Sequence, residues 1–294
     1  MLKNHIKIAW RSLKSNRMFS FINIFGLSIG LTIAIVLFLF VTYERSYDTM
    51  YSNAENIYRV LVNTDESYDG QILSTAPAAL APAVVNDIPD VKYAARMLKH
   101  GFGETAFIKV DNVNFLEKEL YWSDSELFEI FDIQFVKGNP ATAIQRPNTV
   151  VLSESTANKY FGAINPVGKT ITVDNNRELE VTGVYEDFPG NSTMHCNVIA
   201  SLSSMKFFKE PSWGNSSFET YLLLKENMSQ ASVERQLQMV LDKNVDAEGQ
   251  WFTFSLQPLK NIHLHSSDFA NNYSNRIGDS KEIRNLSFLA LLIL

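Results

Sequence analysis

The sequence predicts an α+β protein with an N-terminal transmembrane helix, a mixed α+β domain outside the cytoplasm, and the start of a second transmembrane helix at its C-terminal end. Three observations carry this expectation. Met18 to Tyr43 is a run of 26 residues with no ionisable side chain except the terminal tyrosine. Short β-branched and aromatic runs then alternate irregularly with helix-like segments, unlike a regular βαβ repeat. After Arg284 the chain reads NLSFLALLIL, uncharged throughout.

The first element is residues 1–17, expected as a cytoplasmic amphipathic basic helix. Leu2, Ile6, Ala9, Trp10 and Leu13 recur at helical spacing beside a basic row of Lys3, Lys7, Arg11 and Lys14, with Arg17 following. Such a helix suits a bilayer surface, its apolar face sunk among headgroups and its cations on anionic lipid, with Trp10 at the interface. The same cations also serve as a topology signal. Without these five, 21 basic residues remain against 32 acidic ones, a net −11. An acidic body argues against a nucleic-acid partner, which needs clustered positive charge.

The second element is the span, residues 18–43. As a helix it rises roughly 39 Å, more than the ~30 Å hydrocarbon core. A buried core helix is rarely charge-free for so long. A cleaved signal has a shorter apolar region and a small-residue cleavage site, and neither is found here. Five cations before the span, against Glu44, Arg45 and Asp48 after it, put the N-terminus in the cytoplasm and residues 44–285 outside. Gly26, Gly30 and Ala34 form a stripe at four-residue spacing on which a second helix could pack.

Within 44–285, strands are expected at Ile57–Val62, Phe107–Val110, Thr149–Leu152, Thr170–Val173, Leu179–Tyr185, Tyr221–Leu224 and Trp251–Leu256. A helix is expected from about Ala78 to Ile88, stopping before Pro89, with Leu80, Val84 and Ile88 on one face. A second runs from Glu154 to Phe161 between Ser153 and Gly162. A third starts at Ser229 with Val233, Leu237, Val240 and Leu241 on one stripe. Residues 286–294 are too short to cross a bilayer and read as the start of a truncated second span, so the chain is expected to be the N-terminal piece of a longer polytopic protein.

No catalytic set, cofactor site or metal site stands out. FGAINPVGKT (161–170) resembles a phosphate-cradling loop, but Gly162 and Gly168 enclose five residues rather than four, and the order is helix, loop, strand rather than the reverse. The histidines are His5, His100, His195, His263 and His265. His263 and His265 would share a face if IHLH were a strand, which would permit a metal, although a structural pair is the commoner case. His195–Cys196 would point to opposite faces of a strand. Asp124/Glu126 and Glu186/Asp187 read as solvated surface charge. No Ser occupies a G-x-S-x-G elbow.

Five blocks, in order, resemble the MacB/FtsX-type ABC transporter permeases, particularly the stand-alone permeases of Bacteroidetes. They are HIKIAWRSLKSNRMFSFINIFGLSIGL, YWSDSELFEIFDIQFVKGNPATAI, PNTVVLSESTANKYFGAINPVGKTITV, VTGVYEDFPGNSTMH and LQPLKNIHLHS. They cover most of residues 1–266. The chain departs at NSTMH, where the family often shows Ser-His-Leu, so no role is carried over to that turn. The resemblance implies a first membrane helix, a MacB-like periplasmic core domain at 44–285 and further helices beyond, in the inner membrane. It implies a permease subunit without enzymatic activity or cofactor. That subunit would relay motion from a separate cytoplasmic ABC ATPase for export or mechanotransmission across the envelope, partnered by a second permease half or a homodimer, the lipid bilayer, and a periplasmic adaptor or cargo. Two other readings compete: a single-span anchored sensor or chaperone-like binding module, and a membrane-tethered enzyme, which would need a convergent pocket of titratable groups.

Overall fold

A computed structural model of the chain describes residues 2–205 and 211–293. It divides into two compact units, Met1–Ser46 with Asp279–Leu294, and Tyr47–Gly278. The expected domain boundary at 44–285 is thus drawn in at both ends.

The first unit holds α1 (Leu2–Ser15), α2 (Arg17–Arg45) and α7 (Ser280–Ile293). Asn16, at φ −112° and ψ 62°, breaks α1 from α2. At 29 residues α2 extends the charge-free run by Arg17 at one end and Glu44–Arg45 at the other, roughly 43 Å in all. It is the one helix among the described residues that is long and apolar enough to cross a membrane. The C-terminal helix does not begin at 286. It starts at Ser280 and takes in Lys281, Glu282 and Arg284, so its first turns are charged and only its second half is apolar.

The second unit is built on one sheet. Its strands are β1 (Ile57–Thr64), β2 (Ile72–Leu73), β3 (Ala76–Pro77), β4 (Val91–Lys99), β5 (Ala106–Val110), β6 (Val113–Glu117), β7 (Leu120–Ser123), β8 (Phe135–Lys137), β9 (Thr149–Ser153), β10 (Thr170–Val173), β11 (Arg177–Tyr185), β12 (Val198–Ser201), β13 (Ser216–Leu224) and β14 (Phe252–Pro258). The order across the sheet is β14-β1-β13-β4-β7-β12-β9-β11-β10-β5-β6, with the short strands β2, β3 and β8 paired to β1, β13 and β11 off this path. Two pairings are parallel, β12 with β7 and β11 with β9. The helices are α3 (Leu80–Asp87), α4 (Leu127–Ile130), α5 (Glu154–Phe161) and α6 (Gln230–Asn244). All seven expected strands and all three expected helices of this unit are present. Ser153 caps α5, its side chain accepting from the Thr156 N–H.

Period-two alternation divides the sheet between three cores. In β13, Leu222 and Leu224 face α3 and α6, where they meet Leu80, Val84, Val233 and Leu237. Tyr221 and Leu223 face the other way, into a core shared with Phe128, Phe131, Val151 and Ile199. In β12, Val198 and Ala200 join a third core with Trp122 and Tyr160. The core holding Tyr221 and Ile199 runs under both halves of the sheet, β14-β1-β13-β4 and β7 to β6, and the core of Trp122 also takes in Leu98 of β4 and Phe218 of β13, whereas the core of Leu222 serves the first half alone.

Candidate functional site

In the first unit, Lys7, Trp10, Arg11, Lys14 and Arg17 are exposed, and Trp10 retains 69% of its surface. The side chain of Lys3 lies outside the described residues. Of the small-residue stripe, Ala34 is buried and a Cβ on Gly30 would lie 3.6 Å from Ile293 Cγ2. A Cβ on Gly26 would meet nothing within 4 Å. α2 packs against α7; along α2, Val41 is buried and Leu37 and Glu44 are half-buried, and along α7, Ile283 and Ala290 are buried and Leu286 and Ile293 half-buried. Arg45 Nη2 donates to Ser287 Oγ at 3.4 Å.

In the second unit an open groove of about 710 Å³ is lined by α3, β4, the end of β7, the end of β12 and the 3₁₀ turn Leu202–Ser204 that follows it, with Asn86, Lys92, Tyr93 and Ser201 on its walls. Arg96 and Asp124 form part of its lining. Nε and Nη2 of Arg96 donate to the two oxygens of Asp124 at 2.8 and 2.9 Å, and Nη1 donates to the Ala78 carbonyl at 2.9 Å. Asp124 is therefore no solvated surface charge. The sequence could not show this, because its partner lies 28 residues away on a neighbouring strand. A carboxylate held by a bidentate guanidinium is a structural anchor. Asp187 is also committed, accepting from the Ser155 N–H at 3.2 Å and its hydroxyl at 2.8 Å in the first turn of α5.

The histidines do not converge. IHLH is not a strand, so the condition for a shared face at His263 and His265 fails; residues 259–261 form a 3₁₀ turn and His263 is buried. His263 Nδ1–H donates to the Arg276 carbonyl at 2.8 Å. His100 Nδ1 accepts from Trp122 Nε1 at 3.2 Å and Nε2–H donates to Asp174 at 2.8 Å, which sets its tautomer. His195 and Cys196 precede β12 outside any strand. Burial, followed by the charge of Arg276, holds the His195 imidazole below its ordinary value, and its buried Nδ1 has no hydrogen-bond partner. Burial pushes the Cys196 thiol up, which makes it unreactive. FGAINPVGKT runs from the end of α5 into β10, helix before strand. Among the described residues no three metal-ligating side chains come together.

The side chain that the sequence did not single out is Asp48, read there only as a charge after the span. It lies in the turn that begins the second unit, at φ 57°, and it is fully buried. Its carboxylate accepts from the Thr193 N–H at 2.8 Å, from Thr193 Oγ1 at 2.6 Å and from Ser192 Oγ at 3.2 Å. Its own N–H donates to the Asn191 carbonyl at 3.0 Å. Burial raises the Asp48 carboxyl above its ordinary value, and the bonds from Thr193 and Ser192 partly offset this. Tyr51, three residues on, bonds Ser192 Oγ at 2.6 Å. The first residues of the body are thus hydrogen-bonded to the DFPGNSTMH turn.

No curated protein matches the chain. A domain of a protein described as a permease from Porphyromonas gingivalis shares the fold at TM-score 0.63 and 23% identity, covering 72% of this chain and 92% of that one. The periplasmic region of MacB from Actinobacillus actinomycetemcomitans is similar at TM-score 0.51 and 16% identity, covering 71% of this chain and 91% of that one. Residues 20–240 match the family model described as MacB-like periplasmic core domain. With an N-terminal helix fit to cross a membrane and this sheet domain behind it, the chain belongs to the MacB-like periplasmic core domain family of ABC-type permeases.

Proposed function

We propose that the chain is the membrane subunit of an ABC transporter and relays ATP-driven motion of a separate cytoplasmic ATPase to its extracytoplasmic domain. The N-terminus and α1 lie on the cytoplasmic side of the inner membrane, Tyr47–Gly278 lies in the periplasm, and α7 begins a second span. The observation that most supports the relay is the shortness of the connection: α2 ends at Arg45, and Asp48 is already buried and triply hydrogen-bonded within the domain. A connection of only two residues, Ser46 and Tyr47, between the helix and the first buried residue of the body suits the passing of displacement rather than simple tethering. The partners this reading calls for are the ATPase, a second permease half or homodimer, and an adaptor or cargo at the domain.

The test combines topology with coupling. Protease added outside spheroplasts should cut within the domain and leave an N-terminal tag intact. The permease co-purified with its ATPase in nanodiscs should then show an ATPase rate that changes when Asp48 is replaced by alanine. A cytoplasmic domain would overturn the reading. A topology as proposed, with ATPase indifferent to the permease, would favour an anchored sensor or binding module instead.

A further inference from the structure

The turn that seats Asp48 also receives the last residues of the domain. Arg276 Nη1 donates to the carbonyls of Pro189, Gly190 and Ser192 at 3.2, 3.3 and 3.1 Å. Ser274 Oγ donates to the Thr193 carbonyl at 2.9 Å and accepts from the Arg276 N–H at 3.2 Å. His263 ties the two sides again. Its ring lies flat on Tyr47, with centroids 3.5 Å apart and planes 3° from parallel. Its carbonyl accepts from the Gly278 N–H at 2.8 Å.

Two residues carry both segments. The Ser192 hydroxyl serves Asp48 and Tyr51 while its carbonyl serves Arg276. The Thr193 N–H and hydroxyl serve Asp48 while its carbonyl serves Ser274. Apolar packing would have closed this part of the domain without the desolvation cost of a buried carboxylate. Hydrogen bonds, unlike apolar contacts, fix both distance and direction, so segments joined by them do not slide over one another.

We propose that residues 189–193 are a joint that locks the first and last residues of the extracytoplasmic domain to each other, with Asp48 and Arg276 as its positioning residues. The inference rests on the relay reading, since Tyr47 follows α2 in the chain and Gly278 precedes α7. A pull arriving through either segment is thereby shared with the other through Ser192 and Thr193.

The test is hydrogen exchange on the full chain in lipid nanodiscs, comparing wild type with Asp48→Ala, Arg276→Ala and Arg276→Lys. Asp48→Ala should speed exchange of the 274–278 amides roughly tenfold, and Arg276→Ala should do the same at 47–51, while core amides at 150–152 stay protected. Arg276→Lys, a point charge with three donors, should fall between wild type and alanine. Increases confined to the mutated segment and the turn itself would overturn the joint. Should an alanine variant expose the core amides too, Ser274→Ala and Thr193→Val decide by the same reciprocal pattern. Coupled ATPase activity in the same variants separates the two ideas. Reciprocal exchange with unchanged coupling keeps the joint and removes the relay; local exchange with lost coupling does the opposite.

Discussion

At Arg96 a guanidinium and at Asp124 a carboxylate leave water together, their side chains only 6% and 12% exposed. Removing one member leaves the other buried and uncompensated, which typically costs about 3–5 kcal/mol, whereas replacing both by apolar groups is often close to neutral. Arg96→Ala should therefore lower unfolding stability by about 3–5 kcal/mol, and Arg96→Met with Asp124→Leu should recover most of it, as measured by denaturant titration of the full chain in detergent. His195 makes a pH prediction. Its folded value is held below 6.5, so the unfolded chain takes the proton first as pH falls. Its contribution is fully present above pH 6.5 and is lost progressively below it. Thermal melts between pH 7.5 and 5 should show this decline, and His195→Gln should flatten it. An unchanged slope in that variant would assign the acid sensitivity elsewhere.

Among the elements, the stripe on α2 separates into two unlike glycines. Leucine at Gly30 would drive into Ile293 of α7, while leucine at Gly26 enters open space within this chain. Gly30→Leu should thus abolish disulfide cross-linking between cysteines introduced at Ala34 and Ala290, and Gly26→Leu should leave it intact. Cross-linking that survives Gly30→Leu would show that the two helices do not depend on this close approach. The strands repeat the lesson that identity follows context. β4 reads VKYAARMLK, with two alanines and three cations, and its pattern predicts no strand. It forms because Arg96 finds Asp124, Lys99 finds Glu119 at 3.1 Å, and β13 and β7 pair on its two sides. β7, β8 and β12 are four residues or fewer, too short to display a period, and at that length only β10, β-branched at all four positions, is legible.

The molecule as a whole is organised by distant pairing. β1 pairs with β14 and β13, and β7 lies beside β12, so each half of the sheet is closed by chain from far along the sequence. The core beneath Tyr221 and Ile199 joins the halves. Unfolding of the second unit should therefore be a single cooperative transition. Fluorescence of Trp122 in one half, in a chain whose other tryptophans are replaced by phenylalanine, should coincide with that of Trp251 in the other and with far-ultraviolet circular dichroism. Two separated transitions would show that the shared core does not bind the halves together.

The sequence by itself determined what depends on local chemistry. A run of 26 residues without charge has no stable place in water unless buried, so the span was legible, as were α5 from its Ser153 and Gly162 boundaries and α6 from its four apolar positions. The family too was legible, because blocks in fixed order survive where single residues do not. Tertiary structure alone decided which charges are buried and with whom. Asp124, Asp48 and Arg276 look like any surface charge in one dimension, since a carboxylate's desolvation is bearable only beside donors supplied by remote parts of the chain. The turn at 189–193 acquires its meaning in the same way: Asp48 and Arg276 are 228 residues apart in sequence and meet on it only after the sheet has closed.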